Sequence, residues 1–207
     1  MLLNYYYYYF KGALPQRFCD HVLKHGCLQP DSLARIGKFS NTKDLTPEEL
    51  KNLKKERDAS VVWLTDKWIY KTILPFVRNA NKEAQWGFDI DLLESIQFTK
   101  YKPNQFYDWH CDSWPKPYNL PNNPSRNGKI RKLSVICSLS DPSEYEGGTL
   151  EFDLRNDQKE HKTIECKEII TKGSVVVFPS FVWHRVKPVT KGTRYSLVLW
   201  SLGQPFK

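Results

Sequence analysis

Five histidines and the carboxylates near them set the chemistry open to this chain: His21, His25, His110, His161 and His184. His21 and His25 stand four apart in a helix-forming stretch with no third ligand nearby, so they read as part of a helix surface. His161 lies in the polar run Gln158-Lys159-Glu160-His161-Lys162 and reads as loop. His110 and His184 fall instead in aromatic, β-rich segments. In His110-Cys111-Asp112 an imidazole and a carboxylate are two residues apart, and so on one face of a strand. With His184 as a third ligand from a distant strand, the set is two histidines and one carboxylate. Such a set takes one face of an octahedral metal and leaves three positions open, an arrangement suited to Fe(II) and O2. H-x-D alone is a weak signal, and a buried structural His–Asp hydrogen bond is the competing reading.

Ten residues after His184, Arg194 opens the alternating run Arg194-Tyr195-Ser196-Leu197-Val198-Leu199-Trp200, which puts Arg194, Ser196, Val198 and Trp200 on one strand face. Arginine on a buried strand needs a carboxylate to meet.

These residues require elements to hold them. Tyr5 to Phe10 reads as an opening strand, and Leu14-Pro15-Gln16 starts a helix with Phe18 and Val22 on one side. Residues from about Leu28 to Asp44 are turn-rich. Thr46-Pro47-Glu48-Glu49 combines an N-cap threonine, a first-turn proline and a capping-box glutamate, which predicts a helix to about Arg57. A second long helix is expected from about Asp66 to Glu83, kinked or interrupted at Pro75. Short β-rich segments follow at about 94–101, 133–139, 148–153, 174–178 and 194–201, separated by Gly, Pro and Asn. The outline is a helical layer first and an all-β sandwich or barrel second.

A chain of 207 residues suits one domain, and 40% hydrophobic with 14% aromatic residues supplies a core. No apolar run approaches the roughly 18–20 residues of a spanning helix. The amino terminus, MLLNYYYYYFKG, lacks the features of a secretory signal, so a soluble, cytoplasmic protein without membrane partners is expected. Five scattered cysteines without a CxxC pair read as reduced thiols. The formal charge of +8 suggests an anionic partner, but it concentrates in two acid-free stretches, Ser113 to Ser140 and Ile169 onward, which flank the candidate ligands and supply a positive field there.

The segment from Val176 through His184 and Arg194 to Leu197 resembles the closing motif of the Fe(II)/2-oxoglutarate dioxygenases, in particular the PKHD-type members of the prolyl 4-hydroxylase-like branch. Tyr101-Lys102-Pro103-Asn104-Gln105-Phe106-Tyr107-Asp108-Trp109-His110-Cys111-Asp112 is similar to the family's opening motif, Gly147-Gly148-Thr149-Leu150 to its central turn, and Arg131 to Leu139 to its intervening strand. The resemblance covers about Ile96 to Leu202. It implies an α+β, mainly β fold: a double-stranded β-helix, or jelly roll, over about 94–202, buttressed by a strand and helices over about 1–93, all within one domain of 1–207. It implies Fe(II) held by His110, Asp112 and His184. It places the distal carboxylate of 2-oxoglutarate on Arg194, with Tyr101 and Ser196 as further cosubstrate donors. Tyr107, Arg131 and Trp200 would line the substrate pocket.

The implied reaction is hydroxylation of a peptidyl proline, with O2 as co-reactant, oxidative decarboxylation of 2-oxoglutarate to succinate and CO2, and ascorbate as a supporting reductant. The implied partner is a proline-containing peptide or protein. A nucleic-acid demethylase, or a hydroxylase of a small non-proline substrate, is the alternative on the same fold. The absence of a basic tail counts against nucleic acid, and an intact ligand set counts against a catalytically dead module. Three departures stand out: Lys102-Pro103-Asn104 where relatives often carry glycines, Ser138 where some place an aromatic, and a long loop from Ser113 to Gly128 bearing four prolines with Trp114 and Tyr118. Loops of more than about 12–15 residues without regular structure are commonly functional.

Overall fold

Helices and short strands alternate through the first half of the chain. A computed structural model describes residues 3–37, 44–154 and 163–206; the expected loop around His161 lies outside these. In order come β1 (Tyr8–Phe10), α1 (Gln16–Cys27), β2 (Ser32–Leu33), α2 (Pro47–Glu56), β3 (Arg57–Asp58), β4 (Ser60–Leu64) and α3 (Lys67–Glu83). The capping box forms as read: Thr46 Oγ1 accepts from the Glu49 N–H at 3.3 Å, and the Glu49 carboxylate accepts from the Thr46 N–H at 2.8 Å. Pro75, in contrast, does not interrupt α3, which runs unbroken as a 17-residue helix. Pro75 is on its exposed face, where a carbonyl left without an N–H partner can face solvent.

The second half is strands: β5 (Leu92–Leu93), β6 (Ile96–Tyr101), β7 (Phe106–His110), β8 (Ile130–Ser138), β9 (Tyr145–Gly147), β10 (Leu150–Asp153), β11 (Thr163–Glu165), β12 (Val175–Pro179), β13 (Trp183–Val186), β14 (Val189–Gly192) and β15 (Arg194–Gly203). Among the described residues they form two facing antiparallel sheets. The larger is ordered β1-β12-β8-β15-β6-β4-β2, with β5 also on β15; the smaller is β11-β10-β13-β7-β3, and β14 pairs with β9. This is the jelly roll. The opening strand forms as read, as β1 on one edge of the large sheet, but the layer that follows is less purely helical than the sequence suggests, because β2 and β4 extend the other edge of that sheet and β3 extends the small one.

Alternation along the strands generates two cores. Val175 and Val177 of β12, with Leu197 and Leu199 of β15, face α1 and α3 and meet Val22, Ile69, Ile73 and Val77. Val176 and Phe178 point the other way, between the sheets, against Leu150, Phe152 and Val186. Strands buried on both faces read as continuous apolar runs, which is why Val175-Val176-Val177-Phe178 shows no polar alternation. His21 and His25 are spent on helix packing: His21 stacks on Trp68 at 4.6 Å, and His25 Nε2 lies 3.1 Å from the Asp66 carboxylate.

Candidate metal centre and its groove

His110 ends β7 and His184 sits on β13, and the two are directly opposed in the antiparallel register. Asp112 does not share a strand face with His110, as the H-x-D spacing suggested; it lies beyond the end of β7, in the turn. There the Ser180 carbonyl accepts the Asp112 and Ser113 N–H groups at 2.8 and 2.9 Å, folding the chain so that the carboxylate turns back towards the imidazoles. The three side chains offer ligand atoms all within 4.8 Å of one another. His110 Nε2 is 3.8 Å from one Asp112 oxygen, and His184 Nε2 is 3.6 Å from the other.

The surroundings fix the state of each group. His110 Nδ1 lies 2.7 Å from the Asp108 carbonyl and His184 Nδ1 lies 3.0 Å from the Val182 carbonyl, so each Nδ1–H donates to the backbone and each Nε2 lone pair faces the centre. Burial, reinforced by His184, holds the His110 imidazole well below its ordinary pKa and therefore neutral. Burial alone would raise Asp112, but the two imidazoles, Arg131 and the Ser134 hydroxyl hold its carboxyl down to about 2. Ser134 Oγ donates to Asp112 at 2.7 Å and is itself 2.9 Å from Ser180 Oγ. Two imidazoles whose Nδ1 atoms are tied to backbone carbonyls and one ionised, oriented carboxylate match the donor set that Fe(II) takes.

Arg194 opens β15 opposite Tyr101 of β6. It is buried, Nη2 has no hydrogen-bond partner, and no carboxylate pairs with it among the described residues. Nη1 is 3.5 Å from Ser196 Oγ, and the guanidinium lies 5.8 Å from the Tyr101 ring centre. A buried guanidinium with an orphaned N–H fits a carboxylate ligand. Gly148, at φ +62°, makes room for it: a Cβ there would sit 2.8 Å from Arg194 Cδ and 3.0 Å from Val189 Cγ2. Gly148→Ala is expected to displace the arginine stem and weaken the binding of a small dicarboxylate there about tenfold, a loss of roughly 1.4 kcal/mol; calorimetric titration would measure this.

The acid-free stretches do not supply the free positive field expected of them. Arg126 and Arg131 both pair with Glu94, Lys129 with Asp91, Lys172 with Asp20, Arg185 and Lys187 with Glu151, and Lys191 with Glu146. Many cations of the two stretches are thus tied to carboxylates from elsewhere in the fold, while the net charge stays +8, and Arg194 is one buried arginine that no carboxylate meets among the described residues.

A groove of about 1090 Å³ leads to His110 and Asp112, and Tyr107, Arg131 and Trp200 all line it. Arg194, Tyr101 and Ser196 do not line this groove. Tyr107 stacks on the His110 ring with centroids 3.4 Å apart, and Arg131 lies 3.8 Å over the Trp200 ring. The walls are aromatic, with Trp63 and Trp114 exposed along them. The proline-rich loop forms one wall, and sequence reasoning missed what pins it. Glu94, buried beside β5, accepts from Arg131 Nε at 2.7 Å, from Tyr118 Oη at 3.0 Å and from Arg126, while its carbonyl accepts from Tyr70 of α3 at 2.9 Å. Glu94→Gln leaves two arginines without a counter-ion, so a loss of about 3 kcal/mol is expected. Chemical denaturation would show it, and limited proteolysis would show faster cutting within 113–128.

The 2OG-Fe(II) oxygenase superfamily model matches residues 96–202. The chain is 36% identical over 109 residues to a PKHD-type hydroxylase of Synechococcus sp. (strain CC9605), covering 52% of this chain and 41% of that protein. It thus spans less than half the length of the curated relatives it matches. Among solved structures, the viral collagen prolyl hydroxylase of Paramecium bursaria Chlorella virus-1, a 2OG complex, superposes with a TM-score of 0.63 at 17% identity, covering 97% of each chain. A Trichoplax adhaerens prolyl hydroxylase in complex with a hypoxia inducible factor peptide fragment gives 0.62 at 14%, covering 96% of this chain and 84% of that one. With the jelly roll in place and the matched region containing every residue from the first candidate ligand to the buried arginine, the chain belongs to the 2OG-Fe(II) oxygenase superfamily.

Proposed function

We propose that the chain is a single catalytic unit over 1–207 that hydroxylates proline in a polypeptide, with His110, Asp112 and His184 as ligands to Fe(II). The observation that carries the polypeptide reading is the groove: at about 1090 Å³ it is large, and His110 and Asp112 line it together with Trp63, Trp114, Tyr118 and Trp200. Pro-rich segments dock in aromatic-lined grooves because their extended form loses little entropy on binding.

Fe(II) with 2-oxoglutarate supplies the chemistry, inserting one atom of O2 into a C–H bond while the cosubstrate is decarboxylated to succinate and CO2. This chain's residues position the reactants. Arg194, steadied by Ser196 and beside Tyr101, takes the distal carboxylate of 2-oxoglutarate. Trp200 and the edge of Tyr107 border the substrate, and Arg131, locked by Glu94, holds the Trp200 ring in place. No helix among the described residues is long and apolar enough to cross a membrane, and we place the protein in the cytoplasm. Internal pairing ties up many of the basic residues that a nucleic-acid surface would need, which weighs against that alternative.

The test is mass spectrometry of proline-rich peptides incubated with the protein, Fe(II), 2-oxoglutarate and ascorbate. Peptides heavier by one oxygen atom at proline are expected, with matching succinate. Succinate formation without any oxygenated peptide across a broad library would remove the prolyl reading and leave the oxygenase.

A further inference from the structure

Arg194 is not the one buried arginine that lacks a counter-ion. Arg57, on β3 at the edge of the small sheet, is 6% exposed, its Nε has no hydrogen-bond partner, and no carboxylate pairs with it among the described residues. Neither chain neighbour forms an ion pair with it among the described residues: Asp58 is engaged by Gln105 Nε2 at 2.9 Å, and Glu56, which also lines the groove, is exposed on the last turn of α2. Arg57 Nη1 donates to the Arg35 carbonyl at 3.1 Å, which anchors the guanidinium without satisfying its charge. A buried charge without an opposite partner is costly, and it persists where a ligand completes it.

Its position says which ligand. Arg57 lines the substrate groove, and its guanidinium lies 4.4 Å over the face of Tyr107, whose other neighbour is the His110 ring. One aromatic ring therefore separates Arg57 from the metal centre. Two more cationic residues, Arg35 and Lys116, line the same groove. An extended chain rises ~3.1 Å per residue, so a group on Arg57 belongs to a residue about two or three positions from the one being oxidised.

We infer that Arg57 forms a carboxylate-binding subsite of the groove, so that the polypeptide substrate carries an acidic group about two or three residues from its target proline. This rests on the prolyl reading for the identity of the target, but not for the acidic preference. The carboxylate is either an Asp or Glu side chain or the free carboxy terminus of the substrate.

The test uses Fe(II)- and 2-oxoglutarate-loaded protein, held without oxygen, and synthetic peptides with one Pro-Ala-Pro core. They differ only in Glu, Gln or Lys at two or three positions to either side, with amidated or free carboxy termini. Binding is followed by tryptophan fluorescence, since Trp63, Trp114 and Trp200 line the groove, and by calorimetry. A Glu peptide, or a free-terminus peptide, is expected to bind about tenfold or more tightly than its Gln or amidated counterpart, as charge-assisted hydrogen bonds allow. The gain identifies the source of the carboxylate. Arg57→Gln should erase the preference, and Arg57→Lys should keep part of it. If Arg57→Gln fails to fold, the Glu, Gln and Lys series on the native protein together with Arg57→Lys decides. Equal binding of the Glu and Gln peptides and of the free and amidated termini, a preference that survives Arg57→Gln, or no peptide binding at all would overturn the subsite. An Arg57-dependent acidic preference without hydroxylation once oxygen is admitted would leave the subsite standing and remove the prolyl reading.

Discussion

His110→Ala is expected to abolish 2-oxoglutarate turnover while the protein stays folded. Of the three candidate ligands, His110 is the best place to separate chemistry from stability. It sits at the last residue of β7, its partner across the sheet is His184, and it is only partly buried. His184 is fully enclosed, with Phe178 at 4.6 Å and Phe152 at 6.2 Å, so removing it would open a cavity in the inter-sheet core. Asp112 carries the Ser134–Ser180 hydroxyl pair, so its loss would disturb β8 as well.

For His110→Ala the readouts are succinate release and thermal melting with added divalent metal. A metal at one hundred times its Kd stabilises the native form by about 2.7 kcal/mol, and at this chain length that is a rise of about 5–10 °C. The native protein should show the rise and His110→Ala should not, while their metal-free melting temperatures stay within a few degrees of one another. Retained turnover in the variant would exclude His110 as a ligand.

How much of this was legible in the sequence depends on how far apart the cooperating residues lie. His110, Asp112, His184 and Arg194 were legible because each carries a residue type that β-rich segments seldom tolerate without a purpose. Alternation placed Arg194, Ser196, Val198 and Trp200 on one face of β15, and the inter-sheet position of Val198 agrees. The way Asp112 reaches the centre was not legible, since it depends on the Ser180 carbonyl, 68 residues downstream. Nor was the closure of the basic loop, because the carboxylate that holds Arg126 and Arg131 belongs to Glu94, at sequence separations of 32 and 37 residues. Composition registers an excess of charge and is blind to pairing across a fold. The strands β2 to β4 escaped for a different reason. β2 and β3 have two residues each and β4 has five, too few for period-two alternation to stand out between helices.

Arg194→Met is expected to move stability and cosubstrate affinity in opposite directions. In the protein without cosubstrate, the guanidinium is buried, lacks a carboxylate and leaves Nη2 without a partner. Replacing it with an apolar side chain of similar length removes a desolvated charge. A gain of about 1–2 kcal/mol follows, read as a melting temperature higher by a few degrees. The same change removes the group proposed to meet the distal carboxylate of 2-oxoglutarate. Hydrogen bonds to a charged group contribute roughly 1.5–3 kcal/mol each, so KM for the cosubstrate should rise about a hundredfold or more. Added 2-oxoglutarate should raise the melting temperature of the metal-loaded native protein but not that of the variant. Arg194→Lys, which keeps the charge but not the planar fork, should fall between the two in KM. A purely structural arginine would behave oppositely: its loss would lower the melting temperature and leave KM in place. The two assays together therefore decide whether this buried charge is kept for the fold or for the ligand.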